Sequence, residues 1–147
     1  MPPELNENST ITVHLEGHSD LVLNAAALAK MPRHSAEIVD HGNKTSFEGV
    51  FLRDVLAQAG APFGDRLKGK ALATYVLATG RDGYAATYTL TEMDPAFNDG
   101  ELLIADRSQG GVLPPKQGPF RIVVPHDKKQ ARSVRMLERI DVVELRK

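Results

Sequence analysis

The sequence predicts a single α+β domain of mixed β-sheets with a few helices. Three observations point there. Short segments rich in β-branched and aromatic residues recur from end to end, only two or three stretches read as helix, and no repeat or linker divides the 147 residues. A chain of this length suits one domain and buries roughly two-thirds of its unfolded surface.

Residues 1–9 are polar and proline-bearing, and read as a flexible arm ahead of a domain at 10–147. Thr10 to Leu15 alternates with β-branched residues and predicts a strand, with Glu16-Gly17-His18 as its turn. Leu21 to Met31 is rich in alanine and leucine and predicts a helix, with Asn24 as N-cap and Pro32 as its stop. Glu37 to Val39 reads as a short strand, His41-Gly42-Asn43-Lys44 as a turn, and Phe47 to Val50 as the approach to a second helix. That helix, Leu52 to Ala59, places Leu52, Val55, Leu56 and Ala59 on one face, and Gly60 ends it.

Ala73 to Ala78 predicts an apolar strand, Arg81-Asp82-Gly83 a hairpin turn, and Tyr84 to Leu90 the returning strand, with Thr91 capping a short turn at Glu92 and Met93. Leu102 to Ala105 reads as a buried strand, Ser108 to Lys116 as a glycine- and proline-rich loop, and Arg121 to Val124 as a core strand. Ile140 to Leu145 is the closing strand.

The composition narrows the function classes. Net charge is -1, with 41 % apolar and 25 % charged residues, an ordinary soluble balance that argues against nucleic acid as the main partner. No apolar run approaches the ~20 residues that span a bilayer, so membrane insertion is not expected. The absence of cysteine excludes disulfides, thiolate metal sites and cysteine nucleophiles. The opening Met1-Pro2-Pro3-Glu4-Leu5 lacks the basic and apolar pattern of a signal peptide, which fits either a cytosolic chain or one that starts after a cleavage site.

Against this neutral background, cations gather at one strand exit. Arg121 lies on the apolar strand that stops at Pro125; Lys128 and Lys129 follow in the next loop, then Arg132 and Arg135. Guanidinium groups recognise phosphates and carbonyl-bearing rings in a planar, bidentate way. The alternative is a surface strand with scattered solvated arginines. Asp127-Lys128-Lys129 reads equally as a solvated turn. Asp106 and Arg107 sit at the exit of another apolar strand, either as ligand contacts or as turn capping. Tyr84 starts a strand, where its ring either stacks on an aromatic ligand or packs in the sheet.

The five histidines, His14, His18, His34, His41 and His126, lack a metal-binding spacing. No serine lies in a Gly-x-Ser-x-Gly setting, and Gly80-Arg81-Asp82-Gly83 is too short for a phosphate loop.

Five segments taken together resemble a known family. Phe47-Glu48-Gly49-Val50-Phe51-Leu52-Arg53-Asp54-Val55-Leu56 is similar to the aromatic-x-Gly-Val-x-Leu-x-x-Leu-Leu element of the sulfite-oxidase-type molybdopterin-binding domain. Asp82-Gly83-Tyr84 follows, then Leu102 to Ala105 with Gly111-Val112-Leu113-Pro114, then Gly118 to Pro125, and finally Ala131-Arg132-Ser133-Val134-Arg135. The order is that of the family, over nearly the whole chain. In its enzymes a cysteine upstream of the aromatic-x-Gly-Val element ligates molybdenum; here Ala36 to Ser46 holds none. The cofactor's phosphate is held there by a basic residue before the Gly-Pro element, by that element's arginine, and by the cation closing the Ala-Arg-x-Val element. Those positions match Lys116, Arg121 and Arg135.

Short members without the cysteine resemble pterin-binding regulators of the bacterial periplasm. The resemblance implies a neopterin- or monapterin-like pterin as ligand, a non-catalytic role, and as partner the periplasmic domain of a membrane-bound cyclic-di-GMP-metabolising enzyme, a diguanylate cyclase or phosphodiesterase. For the pterin ring it leaves pairs of candidates: Asp106 or Asp127 to accept from the N–H edge, Arg121 or Arg132 to donate to the carbonyl, Tyr84 or Phe47 to stack. The rival expectations are a small molybdopterin-dependent oxidoreductase with a noncysteine molybdenum ligand, and an interaction module that has lost its ligand site.

Overall fold

The computed structural model describes residues 9–40, 42–97 and 102–145. Nearly all of the arm assigned to residues 1–9, and His41 of the predicted turn, lie outside the described residues. Among the described residues, ten strands form two five-stranded sheets. The first joins β1 (Thr10–Leu15), β2 (Leu21–Asn24), β5 (Thr74–Gly80), β6 (Ala85–Thr89) and β10 (Leu137–Glu144) in the order β2-β1-β10-β5-β6. β1 runs parallel to β10 and the other pairings are antiparallel. The second orders β3 (His34–Asp40), β4 (Asn43–Phe51), β7 (Leu103–Ser108) and β8 (Gly111–Val112), with β9 (Arg121–Val123) pairing β7 as well. The helices are short: α1 (Ala25–Ala29), α2 (Leu52–Ala59) and α3 (Leu90–Met93).

Alternation decides which residues meet. Ile11, Val13, Val76, Ala78, Ile140 and Val142 of the first sheet join Val50, Ile104 and Ile122 of the second in one main core. α2 adds Leu52, Val55, Leu56 and Ala59, all buried on its single apolar face. Each such Leu or Val contributes roughly 1.5–3 kcal/mol by leaving water. Gly60 ends α2 in the left-handed conformation (φ 106°), which glycine adopts without steric cost. The opposite face of the second sheet carries a smaller cluster: Ile38, Phe47, Phe51, Leu103, Ala105, Leu113 and Val123.

Gly49 sets the spacing of the second sheet. A Cβ there would lie 1.9 Å from the Ile104 carbonyl oxygen. The β4–β7 register shifts beside it, pairing Gly49 with Ala105 and Glu48 with Arg107, so Asp106 is the extra residue of a β-bulge.

Several elements differ from the sequence reading. Leu21–Asn24 is a strand paired to β1, and the helix occupies only Ala25–Ala29. The strand edge of β1 overrides the helical propensity of the segment, although Asn24 caps as expected, accepting from the Ala27 N–H at 2.8 Å. Phe47 to Val50 belongs to a nine-residue strand rather than to a lead-in. Thr89, not Thr91, caps α3, in a capping box with Glu92. The loop after Ser108 contains the two-residue strand β8. β10 begins at Leu137, because a second bulge puts both Glu138 and Arg139 on the solvent side and hides the alternation.

Candidate functional site

Arg121 lies on β9 opposite Ala105, so its side chain joins the smaller apolar cluster instead of entering solvent. It is only 4 % exposed. Its guanidinium sits 4.7 Å from the centroid of the Phe47 ring and donates from Nη1 to the Gln117 amide oxygen at 2.7 Å. Among the described residues no carboxylate pairs with it. Burial, and then the nearby charge of Arg135, push its pKa down to about 10. The group therefore stays charged at neutral pH in a setting that disfavours charge, with a neutral amide and a ring face for company.

Backbone hydrogen bonds bring the other cations to it. Ile122 N–H donates to Val134 O, and Leu137 N–H donates to Phe120 O, each at 2.8 Å, which lays residues 134–137 along β9. Met136 N–H donates to Gln117 O at 2.8 Å and ties in the loop that carries Lys116. Lys116 and Arg135 are exposed and, among the described residues, form no ion pair. Arg121, Arg135 and Lys116 thus share one junction of three backbone segments, with net positive charge.

A second set gathers elsewhere, over β6. Arg132 holds Asp127 with Nε and Nη2, both at 2.9 Å, and Glu92 with Nη1 and Nη2 at 3.0 and 2.8 Å. Its Nη1 also donates to Thr87 O at 3.1 Å, and its guanidinium lies 5.1 Å from the Tyr88 ring centroid. Hydrogen bonds from Arg132 to the two carboxylates raise its pKa. Burial works against the Glu92 charge, but hydrogen bonds from Arg132 and the Thr89 N–H outweigh it and leave that carboxyl below the usual range. The Tyr84 and Tyr88 hydroxyls donate to the Ala131 and Arg132 carbonyls. These contacts pin the loop after Pro125 to β6. Lys128 and Lys129 point outward from it, exposed and, among the described residues, without ion pairs.

Asp106 faces a third neighbour. Its carboxylate takes Arg33 Nη2 at 2.6 Å and Nη1 at 3.1 Å, while Arg33 also reaches Glu48 at 3.0 Å. Arg107 donates to Gly110 O at 2.7 Å across the β7–β8 turn. Both carboxylates suggested for a pterin edge, Asp106 and Asp127, are therefore engaged by arginines, and Arg132 is engaged with Asp127. Of the paired candidates, Arg121 with Phe47 is the combination without a carboxylate counterion. Tyr84 is half-exposed but has its hydroxyl committed to the loop.

Sequence reasoning did not single out Gln117, Glu92 or Arg33. Glu92 had a readable signal, Thr89-x-x-Glu92, the spacing of a capping box. Gln117 and Arg33 had none, because their roles come from contacts across the sheet. Among the described residues no group of three His, Cys, Asp or Glu side chains is placed to hold a metal ion. The donor set at Arg121 suits the phosphate of a molybdopterin-type group.

A family model described as the oxidoreductase molybdopterin binding domain matches residues 1–147. Among solved structures, the sulfane dehydrogenase SoxCD from Paracoccus pantotrophus is similar, with a TM-score of 0.72 and 16 % sequence identity. The match covers 95 % of this chain and 39 % of that one, so the present chain spans about two-fifths of its length. At that identity the likeness is one of fold, the sulfite-oxidase type. No curated protein sequence matches the chain. The two-sheet architecture, the segments in register and the full-length match agree: the chain belongs to the oxidoreductase molybdopterin binding domain family.

Proposed function

We propose that the chain is a non-catalytic pterin-binding protein that holds the anionic tail of its ligand at Arg121. The observation that carries this reading is the buried guanidinium without a carboxylate, next to Arg135 and resting on Phe47. A buried charge of this kind is stabilised by an incoming anion. Lys116 and Arg135 are exposed neighbours of Arg121 and add long-range attraction for an anion. With no cysteine anywhere in the sequence, the protein has no thiolate to anchor molybdenum. That lack supports a reading of binding without redox chemistry. A neopterin- or monapterin-like ligand phosphorylated on its otherwise neutral tail, a periplasmic location and a membrane-bound cyclic-di-GMP-metabolising partner complete the proposal, on the strength of the resemblance to short family members. Signalling requires the partner to prefer one of the free and loaded forms.

A second reading is a small molybdopterin-dependent oxidoreductase with a noncysteine ligand, favoured by the full-length family match. A molybdenum cofactor would supply oxygen-atom and electron transfer, and the same Arg121, Arg135 and Lys116 would hold its phosphate. Metal analysis of the purified protein, with extraction and identification of any co-purifying pterin, separates the two. A pterin without molybdenum supports the first reading; stoichiometric molybdenum overturns it.

A further inference from the structure

At the start of the β1–β10 pair lies a hollow of about 490 Å³ that adjoins the Arg121 junction at Met136 but does not include Arg121; Thr10, Thr12, Arg81, Glu138 and Arg139 also line it. Its volume suits a small ligand. Two backbone irregularities converge on it. Glu138 is the extra residue of the β10 bulge, where the register steps from Leu137 opposite Gly80 to Arg139 opposite Thr79. That bulge turns Glu138 to the same side as Arg139, a common way of re-aiming a side chain beside a site. Met136 holds φ at 51°, a left-handed conformation uncommon for a residue other than glycine and concentrated at functional positions.

The charges along the hollow are unequal in their commitments. Arg139 is held by Asp141, with Nη2 to Oδ1 at 2.9 Å. Arg81 and Glu138 have opposite charges and line the same hollow, yet among the described residues neither forms an ion pair, with the other or with any third group. A ligand bearing both charges would satisfy them together: its carboxylate on Arg81, its ammonium on Glu138, and its remaining polar atoms on the Thr10 and Thr12 hydroxyls.

We propose that this hollow is a second binding site, for a small zwitterion of the α-amino-acid class, recognised by Arg81 and Glu138. The test is a thermal-shift and calorimetric titration of the full chain with a panel of common α-amino acids, with acetate and methylammonium as singly charged controls. At least one amino acid should bind saturably and raise the melting temperature, and the two controls should not. Arg81→Met and Glu138→Gln should each weaken that binding at least about tenfold, the loss of one charge-assisted contact. Both positions are exposed, so the folded state of each variant can be checked by circular dichroism. The proposal is overturned by a panel without a binder, by binding retained in either variant, or by acetate binding as tightly as the amino acid.

Discussion

Arg121 donates to Gln117 across 2.7 Å, and the amide oxygen of Gln117 is the only side-chain acceptor it has among the described residues. The neutrality of that partner keeps the junction positive. Glu in place of Gln117 would supply the missing counterion. The Gln117→Glu variant should therefore gain about 1 kcal/mol without ligand, a melting-temperature rise of about 2–4 °C for a domain of this size. It should also lose at least about tenfold in affinity for an anionic pterin, measured by equilibrium titration. A variant that binds as well as the parent would show that the charge of the junction plays no part in binding.

The Arg132 clamp should behave as structure, not as a ligand contact. Arg132→Met leaves Asp127 and Glu92 facing each other without their cation. Loss of one partner from a fully buried pair costs about 3–5 kcal/mol; these side chains stay 24 % and 26 % exposed, so about 1–3 kcal/mol is expected after solvent screening. Lys128→Ala and Lys129→Ala should stay within about 0.5 kcal/mol of the parent, as exposed residues away from such contacts do. Urea denaturation compares all three.

The same clamp carries an acid dependence. Glu92 titrates lower in the folded chain than its ordinary 4.5, so the unfolded chain binds its proton more readily. Its stabilisation is complete above the unfolded value and is lost as the pH falls through the lower, folded one. Relative to the parent, Glu92→Gln should be less stable at neutral pH, and the gap should close on acidification below about pH 4.5. Melting curves of both proteins across that range check it; a gap that is constant with pH would contradict the ion pairing.

Gly49 should tolerate no side chain. A Cβ 1.9 Å from the Ile104 carbonyl oxygen meets backbone on a central strand, where neither partner can rotate away. Gly49→Ala should destabilise by more than about 3 kcal/mol, beyond the usual cost of overpacking. A stable Gly49→Ala protein would show that β4 and β7 are not in this register.

Much of the fold was legible where one signal dominated. α2 shows its period through Leu52, Val55, Leu56 and Ala59 and its stop through Gly60, and β1 and β5 show plain alternation. Bulges and edges were less readable. The extra residues Asp106 and Glu138 break the alternation that marks β7 and β10, and the pairing of Leu21–Asn24 with β1 depends on a neighbour that local propensity does not contain. The cation cluster stood out in the sequence, but its division into an open junction at Arg121 and a closed clamp at Arg132 did not. Glu92 lies forty residues from Arg132 and Phe47 lies on another strand from Arg121. Spacing along the chain carries no record of either contact.

In the proposed function Arg121 is a buried cation held ready for the anionic tail of a pterin. The most direct measurement is a fluorescence titration of the parent and of Arg121→Met with a phosphorylated pterin and with its dephosphorylated form, alongside melting curves without ligand. The parent should bind saturably, and more tightly to the phosphorylated form. Arg121→Met should lose that binding while its ligand-free stability equals the parent's or exceeds it, because an uncompensated buried charge has been removed. Equal binding by parent and variant, or no pterin bound by the parent, would contradict it.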